Sequence, residues 1–176
     1  LGQKLAVGAG GFPIQNGGLI VQYMAQPIFQ IFLGLNPALF GLAMTIPRIW
    51  DAFTDPVMGR ISDRTQSRYG RRRPYVFFGA LAVALTFLTI WMVPQSMGDT
   101  GTFLWLTISS VLFFTAFTVF SVPFNALVYE QTPDYHERTR LMFYLALFYN
   151  IGNLCVNWYV PATNWSGFEN PLVGAR

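Results

Sequence analysis

Arg48, Asp51 and Asp55 are the residues best placed to do chemistry in this sequence, and they sit where charge is least expected. The stretch "RIWDAFTDPVMGRISDRTQSRYGRRRP", Arg48 to Pro74, opens inside a long apolar tract. Along a helix, residues three and four apart share a face, so Arg48, Asp51, Asp55 and Gly59 form one stripe. Charge in hydrocarbon is costly unless it faces a partner or a water-filled cavity, so lipid cannot be what this stripe faces. One reading is structural: Arg48 neutralises a neighbouring aspartate and pins two helices together. That leaves a second carboxylate, to be met by a proton, a bound cation or a basic residue on another helix, and no other Lys or Arg lies within a span. An acid that must take up a cation before it sits comfortably in a membrane is what a coupled transporter needs. Thr54, on a nearby face, adds a hydroxyl oxygen, which suits a hard cation such as Na+ better than a transition metal. His136, the single imidazole, falls in a charged loop, and Cys155 is the single thiol. Neither a transition-metal site nor a disulfide framework is therefore expected.

The elements that carry these residues follow from composition. Only 11% of the 176 residues are charged and 53% are hydrophobic, against about a quarter charged in soluble domains, so the membrane is the expected solvent. Crossing about 30 Å of hydrocarbon takes roughly 20 helical residues. Five runs qualify, at approximately 8–33, 37–58, 74–94, 102–129 and 141–160. Their separators are turn-like or charged: "LGLNP", the arginine loop, "PQSMGDTG" and "EQTPDYHERTR". Arg60, Arg64, Arg68, Arg71, Arg72 and Arg73 follow the second run and Arg138 and Arg140 the fourth, while the loops at 34–37 and 95–101 hold no Lys or Arg. The positive excess places the amino end and both charged loops in the cytoplasm of a multi-pass protein of the cell (inner) membrane. A nucleic-acid or anionic-lipid patch is the competing reading of the arginines, but their place between two spans favours topology, and no nucleic-acid partner is expected. In that orientation Arg48 lies near the bilayer midplane, with the aspartates about 5 and 10 Å below it. "LGQKLAVGAGGFPIQNGG" lacks the uninterrupted apolar core of a signal peptide. The missing initiator Met and the ending "NPLVGAR" suggest a piece of a longer protein.

Other signals carry less. "GAGGFP" follows no strand and precedes no Gly-Lys-Ser/Thr, so close helix packing explains it better than phosphate binding. "NWS" at Asn164 fits a glycosylation pattern that matters only in a eukaryotic secretory setting. No nucleophile–base–orienter set is present, so an enzyme is not expected and no cofactor is called for. Pro56 and Pro123 fall within helices two and four, freeing backbone carbonyls near the polar stripe.

"GRISDRTQSRYGRRRP" resembles the loop signature between helices two and three of the major facilitator superfamily (MFS), with extra residues inserted. "WDAFTDPVMG" and "PFNALVYEQTPDYHERTRL" narrow the likeness to the glycoside-pentoside-hexuronide:cation symporters, the melibiose permease-like family, from about Gly8 to Leu141 and more weakly beyond. The resemblance implies an all-α partial major facilitator fold: about five helices of the amino-terminal six-helix bundle, completed by a missing carboxy-terminal half. It implies secondary active symport of a sugar, glycoside or sugar acid with Na+ or H+. It also implies a cation site at Asp51, Thr54, Asp55 and Thr118, with Arg48 as charge partner. Thr54 stands where melibiose permease has asparagine, a departure that keeps an oxygen but bears on ion preference. Gln15, Ser121, Asn125 and Ala146 stand where that permease has two acids, a tryptophan and an arginine, which puts a galactoside bound in the same way in doubt. Gln15, Asn16 and Asn125 retain hydrogen-bonding groups, and Tyr23, Trp50, Phe124 and Tyr149 could stack on a sugar. Gly59, Asp63, Arg64, Arg71, Arg72, Glu130, Asp134, Glu137 and Arg138 are candidates for a cytoplasmic gate that latches the inner face. Two alternatives stay open: a symporter of a non-sugar substrate such as a lysolipid, and a non-transport scaffold subunit derived from a transporter half. A scaffold would hold its helix-two acids in fixed ion pairs.

Overall fold

A computed structural model describes residues 2–68, 70–94, 97–130 and 135–163, without the side chains of 2–7, 15, 135–136, 157 and 159–163. Among the described residues the regular structure is helical throughout. The elements are α1 (Gly2–Ala25), which continues as a π-helical segment (Gln26–Phe32), α2 (Pro37–Arg64), α3 (Arg73–Trp91), α4 (Asp99–Glu130) and α5 (Tyr135–Thr163).

Local sequence explains the breaks. The π-helical segment carries Pro27 as its second residue, whose missing N–H cannot serve the regular ladder. Two backbone bonds close it, from Leu33 N–H to the Ile28 carbonyl at 3.0 Å and from Leu35 N–H to the Phe29 carbonyl at 2.9 Å. Between them Gly34 adopts φ +70°, which a side chain would resist. Asn36 then caps α2, its side-chain oxygen accepting from Ala38 N–H at 2.9 Å, with Pro37 at the first helical position. Pro47 and Pro56 both lie inside α2, and Pro123 inside α4, and both helices continue through them. α2, α4 and α5 and the start of α1 extend beyond the apolar runs read from the sequence, because polar residues there prolong the hydrogen-bonded ladder, whereas α3 stops at Trp91, short of its run, with Pro94 close behind.

α4 is the centre of the bundle, packed against α3 on one side and α2 on another, while α1 pairs with α5. Glycines permit the close approaches. A Cβ on Gly79 of α3 would stand 2.8 Å from the backbone N and Cα of Phe120, so these two helices touch main chain to main chain. Gly11 of α1 makes room for Leu145 and Tyr149 of α5, and Gly152 of α5 makes room for Asn16. Val21, Met24, Ile28, Phe29, Ile90, Trp91, Leu106 and Phe113 form the main core.

The outer surface is apolar. Ile49, Phe53 and Val57 on α2, Phe77, Phe78, Leu81 and Leu85 on α3, Leu104, Ile108 and Leu112 on α4, and Phe143 and Leu154 on α5 are all exposed. Such a belt suits hydrocarbon and would be a liability in water. Arg73–Trp91 and Asp99–Glu130 are long and apolar enough to cross a membrane by composition alone. α2 carries the charged stripe within its length, and that stripe is what sets it apart from α3.

Candidate functional site

The stripe of α2 turns inward. Asp51, Asp55 and Arg48 line a cavity of about 300 Å³ together with Ile14, Gly18 and Leu19 of α1 and Phe114, Phe117, Thr118 and Ser121 of α4. The helical spacing brings the α2 groups to one face, and α4 meets that face with Phe114, Thr118 and Ser121, also three and four residues apart.

The polar groups are unevenly satisfied. Thr118 donates its hydroxyl to Asp55 Oδ1 at 2.8 Å, keeping its oxygen lone pairs available. Arg48 Nη1 lies 4.0 Å from Asp51 Oδ2, an ion pair beyond hydrogen-bond reach. Its guanidinium carbon sits 4.8 Å from the centroid of the Phe114 ring, within cation–π range. Asp51 Oδ1 is buried and has no hydrogen-bond donor among the described residues. A buried carboxylate oxygen without a donor is costly, and this one has room for a proton or a hard cation beside it. Asp51, Asp55 and Thr118 offer oxygen donors only, a set that fits Na+ or H+ and not a soft metal. Among the described residues no cluster of three His, Cys, Asp or Glu side chains exists.

The other residues singled out in the sequence divide. Thr54 does not line the cavity; its hydroxyl turns to its own helix, toward the Trp50 and Asp51 carbonyls at 3.3 and 3.4 Å, as a helical threonine commonly does. Ser121 lines the cavity. Asn16 is fully buried outside this cavity, donating to the Phe12 carbonyl at 2.9 Å and pressed on Gly152, with its Oδ1 unpartnered among the described residues. Tyr149 packs on Gly11, Phe124 packs on Gly10, and Tyr23 and Asn125 are exposed outside the cavity. Trp50 donates its indole N–H to Thr115 at 2.9 Å, tying α2 to α4 beside the cavity. The side chain of Gln15 lies outside the described residues. The sequence reading missed Phe114, Gln22 and Thr45. The last two line a second cavity of about 270 Å³ on the other side of Arg48, with Val21, Met44 and Phe114. A glutamine in the apolar run "LIVQYMA" was the available signal.

At the arginine-rich end, Arg72 is the hub. Its side chain is only 9% exposed, with Nη2 on Asp63 Oδ1 and Nη1 3.1 Å from Glu130 Oε1. Arg71 Nη2 reaches the same Glu130 oxygen at 2.7 Å. The Thr65 and Tyr75 hydroxyls pair at 2.7 Å nearby. The ends of α2 and α4 and the start of α3 are thus joined by one charge cluster. Arg64 is exposed and outside that cluster, because the helix turns it away from the face that carries Asp63. Glu137 pairs with Arg140 at 3.6 Å and Arg138 lies over the Tyr129 ring at 5.1 Å, so neither joins it. Gly59 faces Val122 at ordinary contact distance. Asp134 lies outside the described residues.

Comparison with known proteins agrees with this architecture. The family described as MFS/sugar transport protein matches residues 6–164. The uncharacterized symporter sll1374 of Synechocystis is 36% identical over 144 residues, covering 78% of this chain and 26% of its own length. Sodium-dependent lysophosphatidylcholine symporter 1 of Gallus gallus is 31% identical over 136 residues, covering 77% of the chain and 25% of its own length. The inner membrane symporter YicJ of Escherichia coli is 30% identical over 156 residues, covering 88% of the chain and 34% of its own length. The chain therefore spans between a quarter and about a third of these relatives. A match across nearly the whole sequence, on an all-helical bundle with an apolar exterior, makes the chain a member of the MFS/sugar transport protein family of multi-pass membrane proteins.

Proposed function

We propose that the protein carrying this chain is a secondary active symporter of the cell membrane, moving a sugar, glycoside or sugar acid together with Na+ or H+. The observation that carries this reading is the unpartnered, buried Oδ1 of Asp51 beside the Asp55–Thr118 pair. Asp51, Asp55 and Thr118 would hold the coupling cation, with Arg48 as the competing charge and Thr54 held back to its own backbone. Symporter names among relatives from a cyanobacterium, a bird and an enterobacterium support the reaction class.

The chemistry follows from charge. With two carboxylates and one guanidinium, the cavity carries a net negative charge until a cation binds. Cation binding neutralises the α2 face and lowers the cost of closing it away from water, so substrate and cation each favour the state that binds the other. The cavity is walled here by α1, α2 and α4, and a second half of the transporter would supply the opposite wall. The five helices would cross the membrane with the amino end and the arginine cluster in the cytoplasm, surrounded by lipid. In that frame the Arg72 cluster braces the inner ends of three helices, against which the other half closes.

A lysolipid substrate is the second reading, favoured by the chicken relative's name. A scaffold derived from a transporter half expects both acids in fixed ion pairs, and the open oxygen of Asp51 speaks against it. The deciding experiment is uptake of radiolabelled sugars and of lysophosphatidylcholine into vesicles containing the complete protein, with and without Na+ and a pH gradient. Accumulation of one substrate class driven by one gradient is expected, and Asp55→Asn should abolish the dependence. Equal accumulation without either gradient would overturn symport.

A further inference from the structure

Arg48 separates two cavities. On the acid side lies the cavity of Asp51 and Asp55; on the other lies the space of about 270 Å³ bounded by Val21, Gln22, Met44, Thr45 and Phe114. The Arg48 side chain is 54% exposed, and its one ion pair among the described residues, to Asp51, stands at 4.0 Å. A guanidinium presents five N–H donors in a rigid planar fork. Among the described residues no hydrogen bond takes any of them, and Phe114 holds the group from one face only. Thr45 spends its proton on the Gly41 carbonyl at 2.7 Å, so its oxygen faces the cavity as an acceptor. Gln22 brings an amide with both donor and acceptor to the opposite wall. A cation with open donors beside an acceptor and an amide is matched by a ligand bearing an oxyanion next to hydroxyl groups.

We propose that this second cavity is an oxyanion subsite, in which Arg48 receives a carboxylate or phosphate group of the transported molecule while Thr45 and Gln22 receive its neighbouring hydroxyls. The inference rests on the symport reading and narrows its substrate to an acidic one. The volume takes a headgroup or a sugar-acid ring and leaves any long apolar tail outside. A neutral sugar would leave the fork of Arg48 facing nothing that matches its charge. The subsite also supplies a physical link between ion and substrate. A cation at Asp51 and Asp55 competes with Arg48 for the Asp51 carboxylate, which frees the guanidinium to turn toward the second cavity, and an anion bound there draws Arg48 away from Asp51 and tightens the cation.

The test is equilibrium binding to the complete purified protein in saturating Na+ or at low pH. Methyl β-glucuronide and glycerophosphocholine serve as oxyanion probes and methyl β-glucoside as the neutral control. One oxyanion probe is expected to bind at least about tenfold tighter than the glucoside, the scale of one charge-assisted hydrogen-bonded contact. The glucuronide as winner marks a sugar acid, and glycerophosphocholine marks a phosphate headgroup. Arg48→Gln should erase the preference and Arg48→Lys should keep part of it. The proposal is overturned if neither oxyanion probe outbinds the glucoside, or if the preference survives Arg48→Gln. Should Arg48→Gln not fold, Gln22→Leu with Thr45→Val must weaken the winning probe several-fold, and unchanged binding overturns the proposal equally. Cation binding measured without any probe separates the two readings: Arg48→Gln is expected to raise cation affinity by removing a competing charge, whereas a cation response indifferent to Asp55→Asn defeats the symport reading itself.

Discussion

The two charge clusters of this chain differ in how completely they are answered. At the arginine-rich end Arg72 meets Asp63 and Glu130 at once, with Arg71 added to Glu130. In the middle of α2, Arg48 reaches Asp51 only at 4.0 Å, and one carboxylate oxygen has no donor. Arg72 Nε is itself buried without a partner among the described residues, but both Nη atoms of Arg72 are on carboxylates, and that pairing holds three helix ends together. A cluster whose charges stand apart leaves room for a further charge among them, as the proposed cation site requires. The difference also follows from sequence: α2 carries two acids and one base in eight residues, while the loop beyond it carries arginines in excess.

That contrast can be broken by substitution. The largest effect is expected for Asp55→Asn, which should cost cation affinity on the order of a hundredfold, equivalent to losing a charged partner worth about 3 kcal/mol. Cation-dependent protection from thermal unfolding, read across a Na+ and pH series, checks it. Arg72→Ala should leave that cation response in place and instead lower stability by about 1–2 kcal/mol, below the cost of breaking a fully buried pair because both carboxylates reach solvent. Melting of the detergent-solubilised protein measures this, and a loss of cation binding as large as that of Asp55→Asn would erase the distinction between the clusters. Thr118→Val should weaken the cation by about fivefold, near 1 kcal/mol for one hydrogen bond, with Thr118→Ser restoring most of it. Smallest of all, Glu130→Gln should cost about 0.5 kcal/mol and less in high salt, since Asp63 still holds Arg72.

What the sequence revealed followed from the strongest physical constraints. Charges inside an apolar helix can be located without coordinates, because hydrocarbon forbids them an outward face, and so Arg48, Asp51 and Asp55 were legible as a stripe. The helix breaks at "LGLNP" and "PQSMGDTG" were legible for the same kind of reason, since Pro and Gly dictate backbone geometry. Thr118 was visible only through the family resemblance; a hydroxyl in a span ordinarily bonds its own helix, as Thr54 does here. Asn16 offers a hydrogen-bonding group, but polarity alone does not say which neighbour a helix face meets, and in the structure that neighbour is Gly152. Arg64 stands beside Asp63 in the loop signature that resembles the family's, whereas the partner of Asp63 is Arg72, nine residues farther along the chain. Gln22 and Thr45 escaped notice because neither is charged; their meaning comes from standing opposite each other across a space that only tertiary structure creates.

The contact of Gly79 with the Phe120 backbone bears on how such a bundle can move. Side chains between two helices can change rotamer and let the helices slide, but main chain against main chain has nothing to give. α3 and α4 must therefore travel as a single lever. Any reshaping of the Asp51–Asp55 cavity then falls to its α1 wall and to the α2–α4 seam, where a threonine hydroxyl and an indole N–H are the fastenings. Adding even a methyl at residue 79 would press on the α3–α4 seam from the far side of α4, without touching a single residue of the proposed cation site.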